Sequence, residues 1–219
     1  FDLSQLTFTD QNWDTPQTIT ITGLDDSDVD GDIDVTITVS VDDALSDVTY
    51  AGISETTTVT NEDNELPPLI INEFLADPDG VSGDANGDGT INTSEDEFIE
   101  IYNNTLSDID ISGYMINDSS GLRHTFTSGS VIPAGEVIVV FGGGTPTNIP
   151  CLSQVASVGF LGLNNGGDTI ILLDASSAIV TSYSYGSEGG DNQSLGRDVD
   201  ITGDFKKHSQ ITSNPVDFS

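Results

Sequence analysis

The sequence predicts an all-β protein of tandem β-sandwiches, the first of them incomplete. Three observations carry that prediction. β-branched and aromatic residues alternate with polar ones over short runs, the period of a strand with one face in a core. No 3.6-residue apolar period survives for three turns anywhere in the 219 residues. Clusters of Gly, Asn, Pro and Ser separate the runs at short intervals, as they do in sandwiches.

Residues 1–65 form the first unit, with strands expected at Leu6–Thr9, Thr18–Thr22, Val35–Val41 and Thr56–Thr60. Trp13 is expected to pack in a core or along a strand edge, the alternative being a ligand platform. Between the second and third strands stand Asp25, Asp26, Asp28, Asp30 and Asp32. Carboxylates this crowded repel one another unless they are spread in solvent or gathered around a cation. A calcium site and a solvated acidic turn are both open readings here. Residues 66–68, Leu66-Pro67-Pro68, form a Pro-rich linker whose fixed φ makes a stiff, extended connector that restricts domain orientations. The acidic run Glu62-Asp63-Asn64-Glu65 before it is a candidate seat for an interdomain ion.

Residues 69–219 form the second unit. Strands are expected at Leu69–Leu75, Phe98–Tyr102, Asp108–Ile111, Tyr114–Asn117, His124–Phe126, Val137–Phe141, Asp168–Leu173 and Ile179–Tyr185. Between the first two lies the stretch from Asp84 to Glu95. Asp84, Asn86, Asp88, Asn92 and Glu95 place side-chain oxygens at loop positions 1, 3, 5, 9 and 12. Gly89 supplies the sharp turn at position 6, and Thr90 its backbone carbonyl at position 7. This pattern is a complete calcium loop, because a hard cation takes six to eight oxygens at once. The alternative is an acidic surface turn that binds nothing. Pro78, Gly80 and Gly83 before the loop and the alternation from Glu97 to Tyr102 after it exclude the paired helices of an EF-hand. The expectation is an EF-hand-like calcium loop inserted between strands, a local clamp and not a helix-opening switch.

Two resemblances follow. The run Leu6-Thr7-Phe8, Asn12-Trp13-Asp14-Thr15-Pro16-Gln17, Thr18 to Gly23, Asp25-Asp26, Asp30-Gly31-Asp32 and Val59 to Glu65 resembles the Calx-beta-like repeats of large bacterial surface proteins. That resemblance implies an Ig-like β-sandwich with calcium held by acidic loops, Asp25, Asp26 and Asp63 being the ligands it designates. Such a sandwich takes about seven strands in about 100 residues, so residues 1–65 hold only its C-terminal part. A longer chain, another chain or the neighbouring domain is expected to supply the remaining strands.

Residues 68–219 resemble the lamin tail domain in its bacterial, extracellular form. The residues that carry the likeness are Ile71 to Pro78, the calcium loop with Asp96 to Ile101, Asp110 to Tyr114, His124-Thr125-Phe126, Val131 to Gly135, Leu163 to Asp168, and Gln193 to Asp198 with Phe205 and His208. The resemblance implies an Ig-like sandwich serving as a non-catalytic accessory or interaction module, sometimes beside nucleases. Asn72, Glu73, Asp77 and Asp96 are candidates for further ligands by their closeness in sequence to the loop.

Composition narrows the function. Four Lys plus Arg against 37 Asp plus Glu give a net charge of -33, enough self-repulsion to loosen a compact chain unless cations neutralise part of it. Nucleic acid and anionic membranes are excluded as partners, since both are held by Lys and Arg. No run is apolar enough to span a membrane, and residues 1–25 lack a signal peptide's basic start and apolar middle. The single Cys151 excludes an internal disulfide and is expected to be a small buried residue.

No catalytic apparatus is expected. His124 and His208 each stand beside a cation in strand-like segments and read as structural. Carboxylate pairs abound, but one Trp, five Tyr and nine Phe form no cluster to line a sugar cleft. Phe141-Gly142-Gly143-Gly144 lacks the Lys and Ser/Thr of a phosphate loop and reads as a tight turn. The sequons at Asn103, Asn117 and Asn192 are chance matches in a polar β-protein.

The expected function is that of a calcium-stabilised structural and adhesive segment of a large secreted or cell-surface bacterial protein. Its partners are then calcium ions, neighbouring domains of the same chain, and other surface proteins or glycans. Two alternatives stand beside it: a non-catalytic accessory domain of an extracellular hydrolase such as a nuclease, and a carbohydrate-binding module using Trp13 or Tyr183 and Tyr185.

Overall fold

The computed structural model describes residues 5–24, 29 and 31–212. The chain divides into two units, Phe1–Glu65 and Leu66–Ser219.

In the first unit, β1 (Ile33–Ser40) and β2 (Ser54–Asn61) form an antiparallel hairpin with Ile33 opposite Asn61 and Ser40 opposite Ser54. Its connection is fixed by aspartates: Asp47 accepts the Thr49 N–H at 2.9 Å and Asp43 the Gly52 N–H at 2.9 Å. The segments 6–9 and 18–22, expected as strands, carry no ladder. Side chains hold them instead, with Asn12 and Gln17 both donating to the Thr7 carbonyl at 3.1 Å. β-propensity measures fit to a half-buried sheet surface, and the hairpin offers these segments no paired edge. Trp13 is 71% exposed and packs in no core, contrary to expectation. Val35, Val39 and Val59 are exposed as well, because a two-stranded ribbon has no second layer of its own.

The second unit begins with β3 (Leu69–Leu75), β4 (Phe98–Asn103), β5 (Ile109–Asp110), β6 (Met115–Asp118), β7 (Gly121–Thr125) and β8 (Val131–Ile132). It continues with β9 (Val137–Phe141), β10 (Leu152–Val155), β11 (Asp168–Leu173), β12 (Ile179–Tyr185), β13 (Leu195–Asp198) and β14 (Asp204–Lys207). A six-stranded sheet in the order β10-β9-β4-β3-β13-β14 faces a four-stranded sheet in the order β12-β11-β6-β7, and β5 pairs with β8. The β9–β10 pairing is parallel. The other pairings are antiparallel.

Alternation along β3, β4 and β9 sends one set of side chains into the sandwich and the other to the outer face. Ile71, Phe74, Ile99, Ile101 and Val140 join Ile116, Ile170 and Leu172 of the facing sheet in the main core. Leu75, Phe98, Val139 and Phe141 form a second cluster, covered by Ala85, Ile149 and Cys151. Strands buried on both faces read as continuous apolar runs, as Val137–Phe141 does. A bulge at Ile71/Glu73 sets both Asn72 and Glu73 opposite Glu100. β8, β10, β13 and β14 were not foreseen as strands; each is short and at least partly exposed or polar, so no alternation marks it.

Candidate cation loop

The segment between β3 and β4 carries the predicted loop, and its own side chains shape it. Asp84 Oδ2 accepts the Gly89 N–H at 3.0 Å. Asn86 Oδ1 accepts the Asp88 N–H at 3.0 Å, Asp88 Oδ1 the Thr90 N–H at 2.8 Å, and Asn92 Oδ1 the Ser94 N–H at 3.1 Å. These are successive Asx turns, each curling the backbone around its own side chain. Gly89, with φ +85°, takes the left-handed conformation that position 6 requires.

Two further elements hold the loop from outside. Asp96 is fully buried at its base, where Oδ1 accepts the Asn86 N–H at 3.2 Å and Oδ2 the Asn92 N–H at 2.8 Å. The turn after β9 lies along one side. The Gly143 N–H donates to the Glu95 carbonyl at 3.0 Å, the Thr145 N–H to Asp88 Oδ2 at 3.0 Å, and the Thr147 N–H to the Asn86 carbonyl at 2.9 Å. Asn86 Nδ2 donates back to the Gly143 carbonyl at 3.3 Å. The N–H donors of Thr145 and Thr90 hold the Asp88 carboxyl below the usual carboxylate range.

One atom is left over. Asp84 Oδ1 is buried and accepts no hydrogen bond, and an orphaned buried acceptor costs about 1–3 kcal/mol unless something fills it. A cation at the loop's centre would be such a filler. Among the described residues, no three or more His, Cys, Asp or Glu side chains are gathered into a metal-holding group. The loop's donors are a mixed set of three carboxylates, two amides and the Thr90 carbonyl, all oxygen, which suits a hard cation and not a transition metal.

The remaining predicted ligands lie elsewhere. Asp25 and Asp26 fall outside the described residues. In the first unit Asp63 accepts the Gly31 N–H at 2.6 Å and donates its own N–H to Asp32 at 2.9 Å. Of the four further candidates, Asp96 has both oxygens taken by loop N–H groups. Asn72 donates to Glu100 at 2.9 Å and accepts the Ile201 N–H, while Asp77 accepts from Asn165. Glu73 is buried opposite Glu100, with His208 Nδ1 at 3.8 Å. Of the four, Asp96 braces the loop itself, and these partners of Asn72, Glu73 and Asp77 lie outside residues 84–95.

A second polar centre has no counterpart in the sequence reading. Glu97 accepts the Gly162 N–H at 2.7 Å, Asp168 accepts from Ser119 and Asn164, and Asp118 pairs with Arg123 at 2.5 Å. Burial pushes Glu97 up to about 7 and raises the Tyr185 phenol. The centre ties the 160–168 loop to the sheets. Lone carboxylates beside apolar runs were its only signal. His124 is buried, accepting the Ser157 N–H at 3.2 Å and meeting Gln154 Oε1 at 3.1 Å. Burial pushes the Cys151 thiol up to about 11, aided by the Glu100 charge, which leaves little of the thiolate a catalytic nucleophile needs.

The second unit is thus an all-β sandwich whose buried polar groups brace loops. The lamin tail domain family model matches residues 63–187. That is more than half of the chain, and the protein belongs to this family of Ig-like, structural, non-enzymatic domains. No curated protein matches the sequence. No helix among the described residues is long and apolar enough to cross a membrane.

Proposed function

We propose that the protein is a calcium-stabilised structural and adhesive segment of a large secreted or cell-surface bacterial protein. Residues 84–95 are its cation site, and a Calx-beta-like repeat precedes the lamin tail domain. The observation that carries this reading is Asp84 Oδ1, a buried acceptor without a donor at position 1 of a loop whose other donor positions all bear oxygen. Calcium would neutralise facing carboxylates in a chain of net charge -33 and fix the loop to its supports.

Thermal melting in calcium and in chelator tests the reading. With the affinity of extracellular modules, on the order of 10⁻⁴ to 10⁻³ M, about 10 mM calcium stabilises by about 1.4–2.7 kcal/mol. Asp84→Ala or Glu95→Ala removes most of that gain; a gain kept by both variants refutes the site. One observation favours a second reading, a carbohydrate-binding module, because Trp13 is 71% exposed. Tyr183 and Tyr185 give it no support, since both pack against Phe74. A glycan array comparing the wild type with Trp13→Ala decides it: glycan binding lost in the variant favours this reading, and silence of both removes it.

A further inference from the structure

Phe141 ends β9 in the outer apolar cluster, and three glycines follow it. A tight turn accounts for Gly144, whose φ of +72° lies in the left-handed region, but not for Gly142 and Gly143. The neighbouring loop accounts for all three. A Cβ on Gly142 would run into the Ser94 carbonyl, and one on Gly143 would lie 2.7 Å from Glu95 Cγ. A Cβ on Gly144 would meet the Asn86 amide and lie 2.6 Å from Asp88 Oδ2. Bare backbone is what lets the turn seat against positions 3, 5, 11 and 12 of the loop. The same segment then runs on to Ile149 and Cys151, which with Ala85 of the loop cover Leu75, Phe98, Val139 and Phe141.

Resting on the reading of residues 84–95 as a cation site, we propose that the 142–147 turn is the second half of that site. It is a strap that positions Asn86, Asp88 and Glu95 for calcium and is itself drawn tight over the outer cluster when the ion binds. Gly143 and Gly144 are positioning residues: they touch no ion but set where the ligand side chains stand. Gly143 is the more informative, since its backbone lies outside the left-handed region and alanine there acts only by displacing the Glu95 side chain. Cys151, the only cysteine, reports on the strap, because its partly buried thiol reacts slowly with labelling reagents and a tighter cover slows that reaction further.

The test titrates the full chain with calcium chloride by calorimetry and measures thiol labelling of Cys151 with and without calcium. It compares the wild type, Gly143→Ala and a control, Gly166→Ala, where a Cβ meets open space. The expected result is calcium affinity weakened about 10-fold or more in Gly143→Ala, the cost typical of losing a group that orients ligands. Its melting temperature in chelator stays near that of the wild type, whereas a merely structural role would lower it. Gly166→Ala binds as the wild type does, and calcium slows Cys151 labelling in the wild type more than in Gly143→Ala. Wild-type affinity in Gly143→Ala, or labelling indifferent to calcium in a wild type that binds it, overturns the strap while leaving the cation site standing. A wild type that takes up no calcium overturns the site itself, and the strap with it. Should Gly143→Ala fail to fold, the wild-type labelling rates decide.

Discussion

Replacing Phe74 by alanine tests how the two sheets of the second unit are joined. Phe74 is 1% exposed on β3, and its ring lies 4.7 Å from that of Tyr185, 5.4 Å from Phe205 and 5.9 Å from Tyr183. Tyr183 and Tyr185 belong to β12 of the facing sheet and Phe205 to β14 of its own, so the ring plugs the gap between the sheets. A buried Phe→Ala costs about 3–5 kcal/mol from transfer and cavity, and each lost aromatic pair adds about 0.5–1.5 kcal/mol to burial alone. The upper half of the first range is expected, since three rings lose a partner together. For a chain of this size that lowers the melting temperature by roughly 8–20 °C at about 2–4 °C per kcal/mol. Circular dichroism melts of the wild type and Phe74→Ala, each in chelator, read the difference. A fall of less than about 3 °C would mean that the cluster closes without Phe74 and that the sheets are held elsewhere.

Two other perturbations probe single groups. Asn103 is fully buried and donates to the Ser107, Ile132 and Pro133 carbonyls while accepting from Thr105; Asn103→Ala orphans several of these and is expected to cost at least about 2 kcal/mol in urea unfolding, a loss under about 0.5 kcal/mol contradicting it. Burial holds the His124 imidazole below its ordinary value of 6.5. The unfolded chain therefore takes up a proton as the pH falls through 6.5 while the folded chain does not, and stability is lost in that direction. The drop in melting temperature between about pH 7.5 and 5.5 is expected to be smaller in His124→Gln than in the wild type, and equal drops would remove the assignment.

How much of this was legible in the sequence depends on how local the determining contacts are. Val137–Phe141 announces itself because a strand buried on both faces needs an unbroken apolar run, and Leu69–Leu75 does so by the apolar residues on either side of Asn72 and Glu73. β10, β13 and β14 lie at or toward the ends of the six-stranded sheet and mix polar and apolar residues, so they take strand form from a neighbour the sequence does not display. The N-terminal segments illustrate the converse: Thr18–Thr22 alternates well, yet without a paired edge it carries no ladder. The twelve positions of the loop could be read because ligand spacing along one turn of chain is a local property. Its supports could not. Gly142–Gly144 reaches the loop from the end of the neighbouring strand β9, distant in sequence, and a glycine reveals nothing of what its missing side chain makes room for. Asp96 looked like another ligand by proximity, whereas its oxygens face the N–H groups of Asn86 and Asn92.

The most direct test of the account is a crystal structure of the protein grown in calcium. The account predicts an ion at the centre of residues 84–95, with Asp84 Oδ1, Asp88, the Thr90 carbonyl and both Glu95 oxygens at about 2.3–2.6 Å and the 142–147 turn closed against it. Density showing only water there, with the Asp84 and Glu95 carboxylates turned to solvent at saturating calcium, would contradict it.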